Sequence, residues 1–173
     1  MNSRIAILST LFLFILPYQL HAAQDIQGKV MKVKDGDTVV IAPVNIEQFI
    51  TCRLYGIDSP ETAKKGEPGQ PYGDEATNQL KHLILAKTVH VVTVEKDRYN
   101  RDICFITLDG LDVNVEMVRK GYAWAFRKYL KPPYAEKYVA AETEAKKAGL
   151  GLWHDRDPEP PWDYRQRMKA RNN

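Results

Sequence analysis

The chain has 173 residues, of which 44% are hydrophobic, 27% charged and 10% aromatic; this balance suits one globular domain and excludes a disordered chain. Two cysteines are too few for a disulfide-knit miniprotein, and no CxxC or HExxH spacing suggests zinc. A formal charge of +3 is too small for a protein that coats nucleic acid electrostatically, so any polyanion must be handled by a local site.

Arg4 precedes the apolar run 5–16, which Pro17 breaks and which runs on to Ala22 and Ala23. A bilayer span needs roughly 20 residues, whereas a signal-peptide core takes about 7–15 and ends at small residues. Residues 1–23 are therefore read as an export signal cut after Ala22 or Ala23. The mature protein is expected to be periplasmic or secreted, with no stable membrane association after cleavage. Residues 27–33, 38–41 and 50–57 alternate or are rich in β-branched side chains, which predicts a three-stranded meander. Asp35-Gly36-Asp37 makes its first turn, with Gly36 free to take a positive φ.

Residues 62–73, with three glycines and two prolines, read as a loop. Asp74 then caps a helix carrying Ala76, Leu80, Leu83 and Ile84 on one face. Residues 89–94 and 103–108 are two further strands, separated by the polar turn 95–101. A short helix over 114–120 is stopped by Gly121, and a third over 134–148 ends at Gly149-Leu150-Gly151. Residues 154–173 form a tail with Pro158, Pro160 and Pro161 and a basic end, Arg165, Arg167, Lys169 and Arg171. Five strands with a helix between the third and fourth predict an α+β domain over 24–153: a five-stranded OB-fold Greek-key barrel with three helices.

Three short clusters carry chemistry. The first is Asp35-Gly36-Asp37-Thr38; the second is Arg53 followed by Asp58-Ser59-Pro60-Glu61; the third is Asp97-Arg98-Tyr99-Asn100-Arg101. A hard cation such as Ca2+ wants several oxygen ligands. Asp37 and Asp58 offer carboxylates, Ser59 offers a carbonyl, and so few protein ligands leave positions for water and a substrate phosphate. Phosphodiester cleavage gathers negative charge on phosphorus-bound oxygens, which planar guanidinium groups bind bidentately. Arg53 and Arg101 can act as such a pair, and Glu61 can orient or deprotonate the attacking water. Taken singly, each of these features reads as an ordinary turn or surface residue, Asp-Gly above all.

Taken together they resemble a known family. The stretches VKDGDTV (33–39), RLYGIDSPET (53–62), YGDEA (72–76), DRYNR (97–101), VNVEMVRKGYA (113–123) and AETEAKKAGLGLW (141–153) resemble the staphylococcal nuclease (thermonuclease) family, calcium-dependent nucleases on an OB barrel. The resemblance implies that Asp37, Asp58 and the Ser59 carbonyl bind Ca2+, with Asp35 just behind them. It implies that Arg53 and Arg101 bind the phosphate and that Glu61 is the general base. Ser59 stands where the family carries a threonine, a mild departure because the backbone oxygen is the ligand. Tyr99 matches a tyrosine beside the nucleotide phosphate. The segment Phe126-Arg127-Lys128-Tyr129 stands where the family has two tyrosines, so Tyr129 keeps a stacking surface and Arg127 brings a cation instead. Asn100 replaces a glycine at a position where Asn tolerates left-handed backbone.

Cys52 and Cys104 fall on strands that neighbour one another in an OB barrel, which makes them a candidate disulfide if both face the same way. The function expected from the resemblance is hydrolysis of DNA and RNA by a monomer with little sequence preference, single strands favoured, leaving 3′-phosphate products. The competing reading is a non-catalytic OB module that binds single strands; it would be expected to have lost some of Asp37, Arg53, Asp58, Glu61 and Arg101, and all five are present. Phosphodiesterase action on a small substrate is a third.

Overall fold

Two antiparallel steps carry the chain from β1 (Gln24–Asp35) through β2 (Thr38–Pro43) to β3 (Ile50–Leu54). The computed structural model describes residues 24–64 and 66–172; the export-signal reading of residues 1–23 lies outside them. β5 (Thr88–Lys96) returns to pair with the far side of β1, and β6 (Asp102–Leu108) pairs with β5. β3 then runs parallel to β6, Arg53 opposite Ile103, and closes a five-stranded barrel. The predicted OB-type barrel is the observed one. Three short strands sit outside it: β4 (Ile57–Asp58), which pairs with β8 (Trp124–Ala125), and β7 (Leu111–Asp112), which pairs antiparallel with the end of β6.

Strand alternation sends one set of side chains inward. Val30, Val39, Ile41, Leu54, Val91 and Ile106 are fully or almost fully buried, each side chain adding roughly 1.5–3 kcal/mol relative to exposure. α1 (Gly73–Ile84) caps this core with Ala76, Leu80 and Ile84. α2 (Val113–Arg119) and α3 (Ala135–Ala148) pack on each other beside the barrel. Buried Asn114 ties α2 to the sheet: its side chain accepts from the Ile106 N–H (3.1 Å) and donates to the carbonyls of Cys104 (2.9 Å) and Tyr55 (3.1 Å).

Four sequence expectations are corrected. Asp74 does not cap α1; Tyr72 precedes the helix in left-handed backbone (φ 66°) without a side-chain cap, and Asp74 sits in the first turn, where its charge complements the helix dipole. Gly36 does not take a positive φ; a Cβ there would lie 2.7 Å from the Ala76 Cβ and 2.8 Å from the Ser59 Oγ, so glycine lets α1 and the 58–61 segment close over the turn. The third strand breaks after Leu54, because Gly56 (φ 74°) turns the chain before β4. The tail is folded: after a 3-10 turn (Gly151–His154) it forms a fourth helix, α4 (Pro161–Asn172).

Proline at the first turn of α4 loses no helical hydrogen bond, and the Pro160 carbonyl accepts from the N–H groups of Asp163 and Tyr164. A 12-residue helix is marginal alone, so contacts hold it. Tyr164 and Met168 are buried, the Tyr164 hydroxyl donates to the Pro68 carbonyl, and Trp162 stacks on Phe126 with ring centroids 5.2 Å apart. Cys52 and Cys104 are both buried on the paired strands β3 and β6, where Cys104 stands opposite Leu54, two residues beyond Cys52.

Candidate active site

The β1–β2 turn, the end of β3 and the segment after β4 meet at one end of the barrel. Asp35, Asp37, Arg53, Ser59, Pro60, Glu61, Lys64 and Arg101 line a small polar cleft of about 90 Å³ there. Asp37, almost wholly buried, is held from three sides. Its Oδ1 accepts from the Thr38 hydroxyl (2.9 Å) and from Arg53 Nη1 (2.5 Å), and its Oδ2 accepts from the Ser59 N–H (3.1 Å). Arg53 reaches on with Nη2 to Asp58 Oδ1 at 2.7 Å, so one guanidinium joins both predicted metal carboxylates. Asp35 accepts from the Asp37 N–H at 3.1 Å and so braces the turn.

Glu61 is positioned through its backbone: its N–H donates to Gln70 Oε1 (2.9 Å), and its carbonyl accepts from the Gln70 N–H (2.8 Å). Its carboxylate accepts from Lys64 Nζ (2.9 Å) and from Arg165 Nη1 (2.8 Å). Arg165 comes from α4. It also grips Asp58, Nη2 to Oδ2 at 2.6 Å and Nη1 to Oδ1 at 3.1 Å. The tail's basic composition was the only sequence signal for this residue, and nothing in it singles out Arg165 from its neighbours.

The third cluster arrives differently. Asp97 accepts from the N–H groups of Tyr99 (2.9 Å) and Arg101 (3.0 Å) and from Arg101 Nε (2.7 Å), so it shapes the turn and aims the arginine. Asn100 takes the left-handed backbone expected of it (φ 59°). Arg101 lines the acidic cleft while its guanidinium pairs with Asp97, and Tyr99 stands on the surface at 65% exposure. In the sequence Asp97 is only the first residue of its motif; its role in orienting Arg101 emerges from the fold.

Arg127 and Tyr129 do not line this cleft. Arg127 pairs with buried Glu142 (2.9 Å) and borders a second, apolar cleft with Trp124, Phe126, Lys146 and Trp162. Tyr129 is half exposed and packs its ring on Phe126 (4.8 Å). Trp124, on the wall of this second cleft, is the ladder partner of Asp58.

Electrostatics in the acidic cleft follow from crowding carboxylates where water is scarce. Burial, reinforced by the charge of Asp37, pushes the Asp35 carboxyl up to about 7. Burial opposes the charge on Asp37 as well, but the Arg53 guanidinium and the hydrogen bonds from Ser59 and Thr38 outweigh it and hold that carboxyl below the usual range. Burial pushes Asp58 up, Arg165 hydrogen bonds pull against it, and the Asp37 charge adds to the rise. Asp37 is thus the settled anion of the group.

Among the described residues no cluster of three or more His, Cys, Asp or Glu side chains is gathered around one point. The chemistry of the donors nevertheless suits a hard cation, since Asp37 and Asp58 are two buried carboxylates joined by one guanidinium and offer oxygen alone. Asp58 has a relative exposure of 0% and both its oxygens face guanidinium groups, so the site is built to hold positive charge at that carboxylate.

The family profile for staphylococcal nuclease homologues matches residues 51–155. Over 158 residues, 91% of this chain and 95% of the relative, the sequence is 39% identical to an Escherichia coli protein named an uncharacterized endonuclease. It is 34% identical to a Shigella flexneri protein named micrococcal nuclease, over 92% of this chain and 91% of that one. An uncharacterized endonuclease of Haemophilus influenzae is 30% identical over 98% of this chain and 89% of its own length. α4 lies beyond the stretch that the family profile matches.

Proposed function

This chain belongs to the staphylococcal nuclease family and hydrolyses phosphodiester bonds, and from that premise we propose that it is an exported, calcium-dependent nuclease. It cuts DNA and RNA with little sequence preference, favours single strands, works as a monomer and leaves 3′-phosphate and 5′-hydroxyl ends. The observation that carries this reading is the meeting of Asp37, Arg53 and Glu61 in one cleft, with Arg53 bridging Asp37 to the buried Asp58 behind it.

Each residue has work that its surroundings suit. Asp37, Asp58 and the Ser59 carbonyl would hold Ca2+, which when bound supplies positive charge to a phosphate oxygen. Arg53, on a barrel strand, presents a fork matched to two phosphate oxygens, and its aspartate partners keep it aimed when no substrate is present. Arg101 lines the same cleft and must leave Asp97 to reach a phosphate. Glu61, fixed by Gln70 through its backbone, must release its carboxylate from Lys64 and Arg165 to reach an attacking water, from which it takes a proton. All these groups read phosphate rather than base edges, which is why sequence preference is expected to be weak. No helix among the described residues is long and apolar enough to cross a membrane.

The direct test is hydrolysis of heat-denatured DNA by the purified protein, first with calcium and then with excess EGTA. Cleavage that starts with calcium and stops with chelator is expected. Cleavage that persists in EGTA would remove calcium from the reading, and a folded protein that binds DNA without cutting it would return the chain to the binding-module class.

A further inference from the structure

Arg53 and Arg165 meet on the same atom. Asp58 Oδ1 accepts from Arg53 Nη2 at 2.7 Å and from Arg165 Nη1 at 3.1 Å, and Arg165 also holds Asp58 Oδ2 and Glu61 Oε1. An ionised carboxylate offers about four acceptor sites, and guanidinium groups occupy three of those of Asp58. A cation that binds Asp58 therefore competes with guanidinium groups on both of its oxygens. Arg53 is the harder one to move: it sits on β3 between β2 and β6, opposite Thr38 and Ile103, with its side chain 17% exposed. Arg165 extends from a terminal helix with its side chain 37% exposed, and can turn towards solvent without disturbing a strand.

We propose that Arg165 is a third guanidinium of the active site, seated on Asp58 until a divalent cation displaces it and then available to the substrate phosphate. This rests on the calcium-nuclease reading and adds to it a residue from outside the stretch that the family profile matches. The helix itself stays docked through Tyr164, Met168 and the Trp162–Phe126 stack, so the freed fork remains within a side-chain length of the cleft. Arg53 and Arg165 already converge on one oxygen of Asp58, so the freed fork starts beside Arg53. Arg165 thereby weakens cation binding to the free protein and strengthens substrate binding to the loaded one.

The test is calorimetric titration of Ca2+ into the full chain, without nucleic acid, for the natural protein, Arg165→Gln and Arg165→Lys. Removing a charge-assisted competitor should tighten Ca2+ binding about tenfold in Arg165→Gln. Arg165→Lys, which keeps the charge, should bind Ca2+ close to the natural value. At saturating Ca2+, Arg165→Gln should raise KM for single-stranded DNA about tenfold with kcat less affected, the pattern of lost uniform binding. Arg165→Lys, without the fork, should recover only part of that loss. If Arg165→Gln does not fold, shown by its melt in EDTA, Arg165→Lys carries the comparison through KM, and an unchanged KM overturns the proposal. Equal Ca2+ affinity in the natural protein and Arg165→Gln overturns it and leaves the nuclease reading standing. Absence of Ca2+ binding to either protein overturns both.

Discussion

Arg53 and Arg165 grip one carboxylate, but the regions that carry them are built on different terms. The barrel end is made by strands paired on both sides, so Arg53 inherits its position from backbone hydrogen bonds to β2 and β6. α4 is a single layer resting on a stacked ring pair, one tyrosine hydroxyl and the contact of the Gln70 side-chain amide with the Glu159 carbonyl (3.0 Å). The first region places charge with little freedom; the second adds charge from an element that can detach. An active site assembled this way has a fixed half, which sets the chemistry, and a docked half, which sets how strongly that chemistry is engaged.

Substitutions can break this contrast. Arg53→Ala should cost about 10²-fold or more in turnover, the scale of removing one preorganised charge donor, while the far-UV circular dichroism stays native. Near-normal turnover would show that the fixed half does not carry the phosphate. Glu61→Gln should lower kcat by about 10²-fold and leave nucleic-acid affinity nearly unchanged in a binding titration with non-cleavable DNA; equal loss of both would make Glu61 structural. On the docked side, Trp162→Ala removes the stack on Phe126 and should lower stability by about 1–2 kcal/mol in urea unfolding, with a smaller loss of turnover than Arg53→Ala. A drop in turnover as deep as that of Arg53→Ala would erase the distinction between the two halves.

The smallest effect is a slope with pH. Asp35 is raised in the folded state, so folding favours its protonated form; that advantage is complete below the ordinary carboxylate range and is lost as pH climbs from about 4 to about 7. Asp35→Asn cannot titrate, and in EDTA its unfolding free energy should fall less than that of the natural protein across that window. Parallel curves would place the raised titration elsewhere.

The fixed half is also the half that sequence describes well. Asp37, Arg53, Asp58 and Glu61 lie in short motifs tied to strand ends, where the two-residue period and turn residues locate them, and the barrel then brings the motifs together. Gly36 was recognised as a requirement of the turn, but its reason is the approach of Ala76 and Ser59, which no local pattern carries. α4 was hidden by its own start: Pro158, Pro160 and Pro161 read as loop, although Pro161 is a good first residue of a helix. Its remaining residues are mostly polar, with Tyr164 and Met168 as the buried exceptions, and the surfaces that hold it come from residues 68–70 and 124–126. Arg165 therefore joins the site only through contacts made about 100 residues away in sequence, beyond the reach of spacing.

The aromatic cluster beside Asp58 has an optical consequence. The chain contains three tryptophans, and all of them lie together: Trp124 is 4.3 Å from Trp153 and 5.6 Å from Trp162, centroid to centroid. Trp124 belongs to the strand paired with Asp58, and Trp162 stands one turn before Arg165 on α4. Tryptophan emission from the whole protein thus originates at one seam, where the helix meets the barrel. Its wavelength and quenching form a label-free gauge of whether that seam is closed, readable in a stopped-flow cell while ions or oligonucleotides are mixed in.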